Sequence, residues 1–100
     1  MTSTALKTDH YELTMLQAAL RSGAAHRQSV FEMFGRRLPD GRRYGVVAGV
    51  GRMLEALADF RFGQAELDFL ADRRVVDDAT LDYLRDYRFE GSMWGYAEGE

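Results

Sequence analysis

The sequence predicts an α/β chain, forming one ordinary domain or part of a larger one, and three observations point to it. Apolar residues recur at helical spacing near residues 8–22 and, in shorter runs, over 52–59, 64–71 and 78–86. Between the first helix and the others stands a run of strand-favouring residues, Val30-Phe31-Glu32-Met33-Phe34. After the last helix, Arg88-Phe89-Glu90-Gly91 returns to strand and turn chemistry. The order helix, strand, helices, strand belongs to an α/β or α+β arrangement.

Each element has a local reason. The first helix begins near Thr8 or Asp9, where Asp9 and Glu12 resemble a capping box with Asp in the place of Ser or Thr. Leu13, Leu16, Gln17 and Leu20 share one face, which Tyr11, Met15, Ala18 and Ala19 widen. Gly23 suits the left-handed position after a helix. Residues 29–35 read as a strand, and Pro39-Asp40-Gly41 marks a turn within the arginine-rich stretch 36–43. Residues 44–50 fit either a short strand or the start of a helix. The helix at 52–59 turns Met53, Leu54, Leu57 and Ala58 inward. The helix at 64–71 uses Leu67, Phe69 and Leu70, and the one at 78–86 uses Leu81, Tyr83 and Leu84. Asp77 or Asp78 can cap the last of these. The tail, with Gly91, Gly95 and Gly99 around Trp94 and Tyr96, reads as a chain stopped in mid-sheet. The expectation is therefore a piece of a longer protein.

Composition narrows the function classes. Hydrophobic residues are 46% and charged residues 29% of 100, which is globular rather than disordered. Thirteen basic against sixteen acidic side chains leave a net charge of -3, so nothing general favours nucleic acid or an anionic membrane as partner. The absence of cysteine excludes disulfides and thiolate-held metals. No apolar run approaches the roughly 20 residues of a membrane span, and the N-terminus has no hydrophobic signal core, which together suggest a cytoplasmic protein.

Catalytic signatures are missing. His10 and His26 lie apart without a second ligand at metal spacing, so no metal site is expected. There is no nucleophile elbow, and the glycine-rich stretch 45–51 fits neither a dinucleotide fingerprint nor a P-loop. Arg36, Arg37, Arg42 and Arg43 form either a solvated face or a small anion site, since guanidinium groups bind phosphate bidentately. Tyr11 stands in the first turn of the first helix. Periodicity alone makes it a core or interface aromatic. The alternative is a stacking group, because unpaired helix amides and the positive dipole end beside it suit a carboxylate. A flat heteroaromatic acid stacked there would gain roughly 0.5–1.5 kcal/mol beyond area burial.

A resemblance bears on that choice. Thr8, Asp9, Tyr11, Thr14 and Met15, then Phe31, Glu32, Phe34, Arg36 and Pro39, then Ala48, Gly49 and Leu54 occur in the order and spacing of nicotinate phosphoribosyltransferases. The tail Trp94-Gly95-Tyr96-Ala97-Glu98-Gly99-Glu100 resembles that family's next segment, with Ala97 where proline is usual. Gly35 stands where a second aromatic is common, a change expected to loosen packing near Arg36. The nicotinamide-using relatives resemble Asp-x-Tyr-Lys at the first motif, whereas Glu12-Leu13-Thr14-Met15 follows Tyr11 here.

The resemblance implies that residues 1–100 are the N-terminal part of the α/β domain of a type II phosphoribosyltransferase, whose irregular α/β barrel would lie beyond residue 100. Such enzymes condense nicotinate with phosphoribosyl pyrophosphate, with ATP hydrolysis through a phosphorylated histidine and with magnesium, in NAD biosynthesis. They are homodimers with a shared active site. The tyrosine matching Tyr11 stacks on nicotinate, reaching into the neighbouring subunit, and Arg36 is expected to meet phosphate. Asp9 and Thr14 would position the helix start. No catalytic or metal-binding residue is expected in this stretch, and the chain alone is expected to be inactive. The competing expectation is a freestanding non-catalytic module for dimerisation or anion binding.

Overall fold

The computed structural model describes residues 3–100. They form four helices, α1 (His10–Ser22), α2 (Val50–Ala58), α3 (Gln64–Asp72) and α4 (Asp78–Asp86). The first helix starts as its sequence dictates. The Glu12 carboxylate accepts from the Asp9 amide at 3.2 Å and from the Thr8 hydroxyl, so the first turn is closed by its own side chain. These bonds, chiefly the one from Thr8, hold the Glu12 carboxyl below the ordinary glutamate range. α1 ends on Gly23 at φ 80°, where the Ala24 amide turns back to the Ala19 carbonyl at 2.8 Å.

Asp77 organises the packing of α1 on α4. Its Oδ1 accepts from the Thr80 amide at 2.9 Å and the Thr80 hydroxyl at 2.6 Å, which caps α4. Its Oδ2 meets Arg21 of α1 at 2.9 Å, and its amide donates to Gln17 Oε1 at 2.5 Å. The carboxyl is held below the ordinary aspartate range, first by the Thr80 hydroxyl, then by the Thr80 amide, with Arg21 contributing less. α3 packs against α4 and α1 crosses onto it. Between them lies one core of Ala5, Leu13, Phe62, Leu67, Leu70, Val76, Leu81 and Leu84, with Leu70 and Thr80 most deeply buried. α2 packs on none of the other three helices and buries none of its residues. Three residues expected to face inward do not, and Ala58 at the end of α2 is one of them. Leu54 is exposed, and Phe69 is exposed beneath the Arg73 guanidinium, 5.3 Å from its ring centre.

The α/β expectation is not met: among the described residues there is no strand. Residues 29–35 and 88–90, expected as strands, lie within stretches 27–49 and 87–100 that hold no helix or strand and are mostly exposed, with Phe31 92% and Trp94 93% accessible. The physical reason is lateral. A strand exists only when a neighbour takes its backbone hydrogen bonds. Here Val47 alone links the two segments through the backbone, donating to the Glu100 carbonyl at 2.7 Å and accepting from the Gly99 amide at 2.8 Å. The two extended segments swell the radius of gyration to 16.3 Å, against about 13 Å for a compact chain of this length.

Candidate functional site

α1 presents Tyr11 at its head. Helical spacing turns Leu13 into the core and leaves Tyr11 and Met15 outward, so Tyr11 is 59% exposed and no part of this chain's core. The backbone beneath it is fixed, because the Thr14 hydroxyl donates to the Tyr11 carbonyl at 3.0 Å. Asp9, as the residue preceding the helix, and Thr14 thus act on its first turn.

Beside Tyr11 opens a recess of about 710 Å³ between α1, α4 and the segment leading to α3. Its walls are mainly apolar and aromatic, including Met15, Phe31, Phe60, Tyr83 and Tyr87. The rings brace one another edge to face or tilted, with Phe60 5.7 Å from Phe62 and 6.1 Å from Tyr87, and Tyr83 6.0 Å from Tyr87. Burial, with smaller contributions from Tyr83 and Glu90, pushes the Tyr87 phenol above its ordinary value, which favours its neutral form. Arg27 is the cation on this lining, and Glu12, already engaged by Thr8 and Asp9, is the anion. Such a surface can hold a flat ring.

The arginine cluster lies elsewhere. Arg36, Arg37, Arg42 and Arg43 are exposed on the extended segment, and Arg36 does not line the recess beside Tyr11. The turn between the pairs closes from the Arg42 amide to the Pro39 carbonyl at 3.0 Å, with Gly41 at φ 83°. A Cβ added at Gly35 would meet nothing within 4 Å. Ala97 donates its amide to Glu100 at 3.3 Å, a donor that proline lacks. Among the described residues, no group of three or more His, Asp or Glu is placed to hold a metal ion.

Sequence reasoning missed Arg27 and the aromatic wall. Arg27 reaches the recess because the chain doubles back after Gly23, where the Arg27 amide bonds the Ala24 carbonyl at 3.1 Å. The glycine signalled the reversal but not what would follow it. Tyr83 and Tyr87 are one helical turn apart at the end of α4, but Phe60 comes from beyond α2, and no local pattern joins it to them.

A family profile described as the nicotinate phosphoribosyltransferase (NAPRTase) N-terminal domain matches residues 6–100. The chain is 61% identical over 95 residues to nicotinate phosphoribosyltransferase pncB1 of Mycobacterium tuberculosis (strain H37Rv), covering 95% of this chain and 21% of that protein. It is 42% identical over 98 residues to pncB2 of the same strain, covering 95% of this chain and 20% of that protein. It is 36% identical over 98 residues to nicotinate phosphoribosyltransferase of Bacillus subtilis (strain 168), covering 98% of this chain and 20% of that protein. The chain thus spans about a fifth of the length of these relatives. No solved structure matches it.

Proposed function

Because the chain belongs to the nicotinate phosphoribosyltransferase N-terminal-domain family, we propose that it serves as the N-terminal part of an enzyme condensing nicotinate with phosphoribosyl pyrophosphate. The pyridine nitrogen bonds to the ribosyl carbon as pyrophosphate leaves, giving nicotinate mononucleotide for NAD biosynthesis. The observation that carries the reading is the family match over residues 6–100, with Tyr11 held outward at the head of α1. In this reading the complete enzyme is a cytoplasmic homodimer with a shared active site. Tyr11 stacks on nicotinate across the subunit boundary, and Arg36 meets phosphate.

This segment binds and orients; bond making belongs to the remainder of the enzyme. ATP and magnesium are expected of the complete protein. With no metal-holding group among the described residues, no step through a metal is assigned to this chain. The strand-like runs within 27–49 and 87–100 pair with a sheet in the complete protein, which restores the α/β domain. Family membership weighs against a freestanding dimerisation or anion-binding module.

The test compares two preparations given nicotinate, phosphoribosyl pyrophosphate, magnesium and ATP. The full-length protein is expected to release pyrophosphate with nicotinate and far more slowly with nicotinamide. The 100-residue chain alone is expected to release none. Turnover by the short chain would overturn the division of labour, and a full-length protein indifferent to nicotinate would overturn the function.

A further inference from the structure

Two sequence motifs left without a task by the proposed chemistry meet in the structure. One is the glycine-rich start of α2, the other the Glu98-Gly99 tail. α2 begins badly on its own. Its preceding residue is Gly49, at φ 90° and without a side chain, and its first turn contains no acidic residue. The leading amides are therefore orphaned and the dipole uncompensated. A nine-residue helix that buries nothing has little else to hold it.

Glu98 supplies what is missing. Its two carboxylate oxygens accept from the Gly49 amide at 3.0 and 2.9 Å, and Oε1 accepts from the Val50 amide at 3.1 Å. Successive amides next to a left-handed residue form a concave nest that suits an anion. Glu98 is itself held in place. Gly99, at φ 88°, turns the chain so that its amide reaches the Val47 carbonyl at 2.8 Å, while Val47 donates to the Glu100 carbonyl at 2.7 Å. The Glu100 amide closes the turn on Ala97 at 3.2 Å.

We propose that the Glu98 carboxylate, delivered from 49 residues away, caps α2 in place of a side chain at Gly49, and that this clasp is what lets α2 form and fixes the two extended segments against each other. The serine, threonine, aspartate or asparagine that normally precedes a helix is replaced by a distant glutamate. Formation of α2 is thereby coupled to docking of the tail. The clasp stands on the chain's own geometry and does not depend on the enzymatic reading.

Backbone amide exchange by NMR on the 100-residue chain tests it, with Glu98→Ala and the milder Glu98→Gln. In Glu98→Ala the Gly49 and Val50 amides are expected to exchange about five- to tenfold faster, the scale of a lost helix cap, and the α2 amides behind them to follow. Amides of α3 and α4 should keep their rates. Glu98→Gln, which keeps an oxygen but not the charge, should fall between, and it decides the matter if the alanine variant unfolds. Unchanged rates at Gly49 and Val50, or an equal acceleration in all four helices, would overturn the proposal.

Discussion

The packed helices α1, α3 and α4 and the two extended segments are built from similarly apolar sequence, yet one region buries its side chains and the other displays them. Leu70 is 1% accessible and Phe31 92%. The difference lies in where each element finds its partners. A helix satisfies its backbone within itself and needs only a cap and a face to pack. Glu12, Gly23 and Asp77 supply ends, and the leucine faces meet. An extended segment needs a neighbour for every amide, and the described residues offer these two little beyond Val47. The exposed row Val30, Phe31, Met33 and Phe34, together with Trp94 and Tyr96, is an apolar surface of the kind that marks contact with another structure.

Substitutions break or sharpen this contrast. The largest loss is expected at Leu70. Leu70→Ala should cost about 2–5 kcal/mol, read from the denaturant midpoint, because it opens a cavity where α3 meets α4. Acid comes next. The Asp77 carboxyl lies below its ordinary value in the folded chain, so near that value the unfolded chain binds more protons. Its contribution is present above about pH 4 and disappears as pH falls through the lower folded value. The parent should therefore melt progressively earlier below about pH 4, and Asp77→Asn, which can still cap α4, should lose less on the same acidification. An identical acid profile for the two would remove Asp77 from the account of how α1 is tied to α4.

A smaller gain is expected where α3 ends. Arg74 sits at φ 51°, a left-handed conformation that glycine adopts without strain, so Arg74→Gly should stabilise by about 0.5–1 kcal/mol in thermal melts. The smallest effect is expected on the extended side. Phe31→Ser should shift the same denaturant midpoint by no more than about 0.5 kcal/mol. A loss like that of Leu70→Ala would mean that Phe31 packs in this chain after all.

Legibility in the sequence follows the same line. Asp9 with Glu12, Gly23 and Asp77 announce helix ends through bonds spanning a few residues, and all four helices fall within about two residues of their expected bounds. The run 29–35 has strand residues, but pairing is non-local, and propensity cannot say whether a partner is present. Periodicity left Tyr11 as a core or interface aromatic, and the structure takes it out of this chain's core: Leu13 is buried, while Tyr11 stands at the edge of that face and is exposed. The contact of Glu98 with the start of α2 crosses 49 residues and leaves no periodic trace. Resemblance picked out both partners without showing that they touch.

Tyr11 joins the outward face of α1 to the proposed chemistry, and steady-state kinetics of Tyr11→Ala in the full-length protein test that link most directly. With the stacking ring gone, the Michaelis constant for nicotinate is expected to rise about tenfold while that for ATP stays within about twofold. Parent-like values for nicotinate would contradict a role for this ring in holding the substrate.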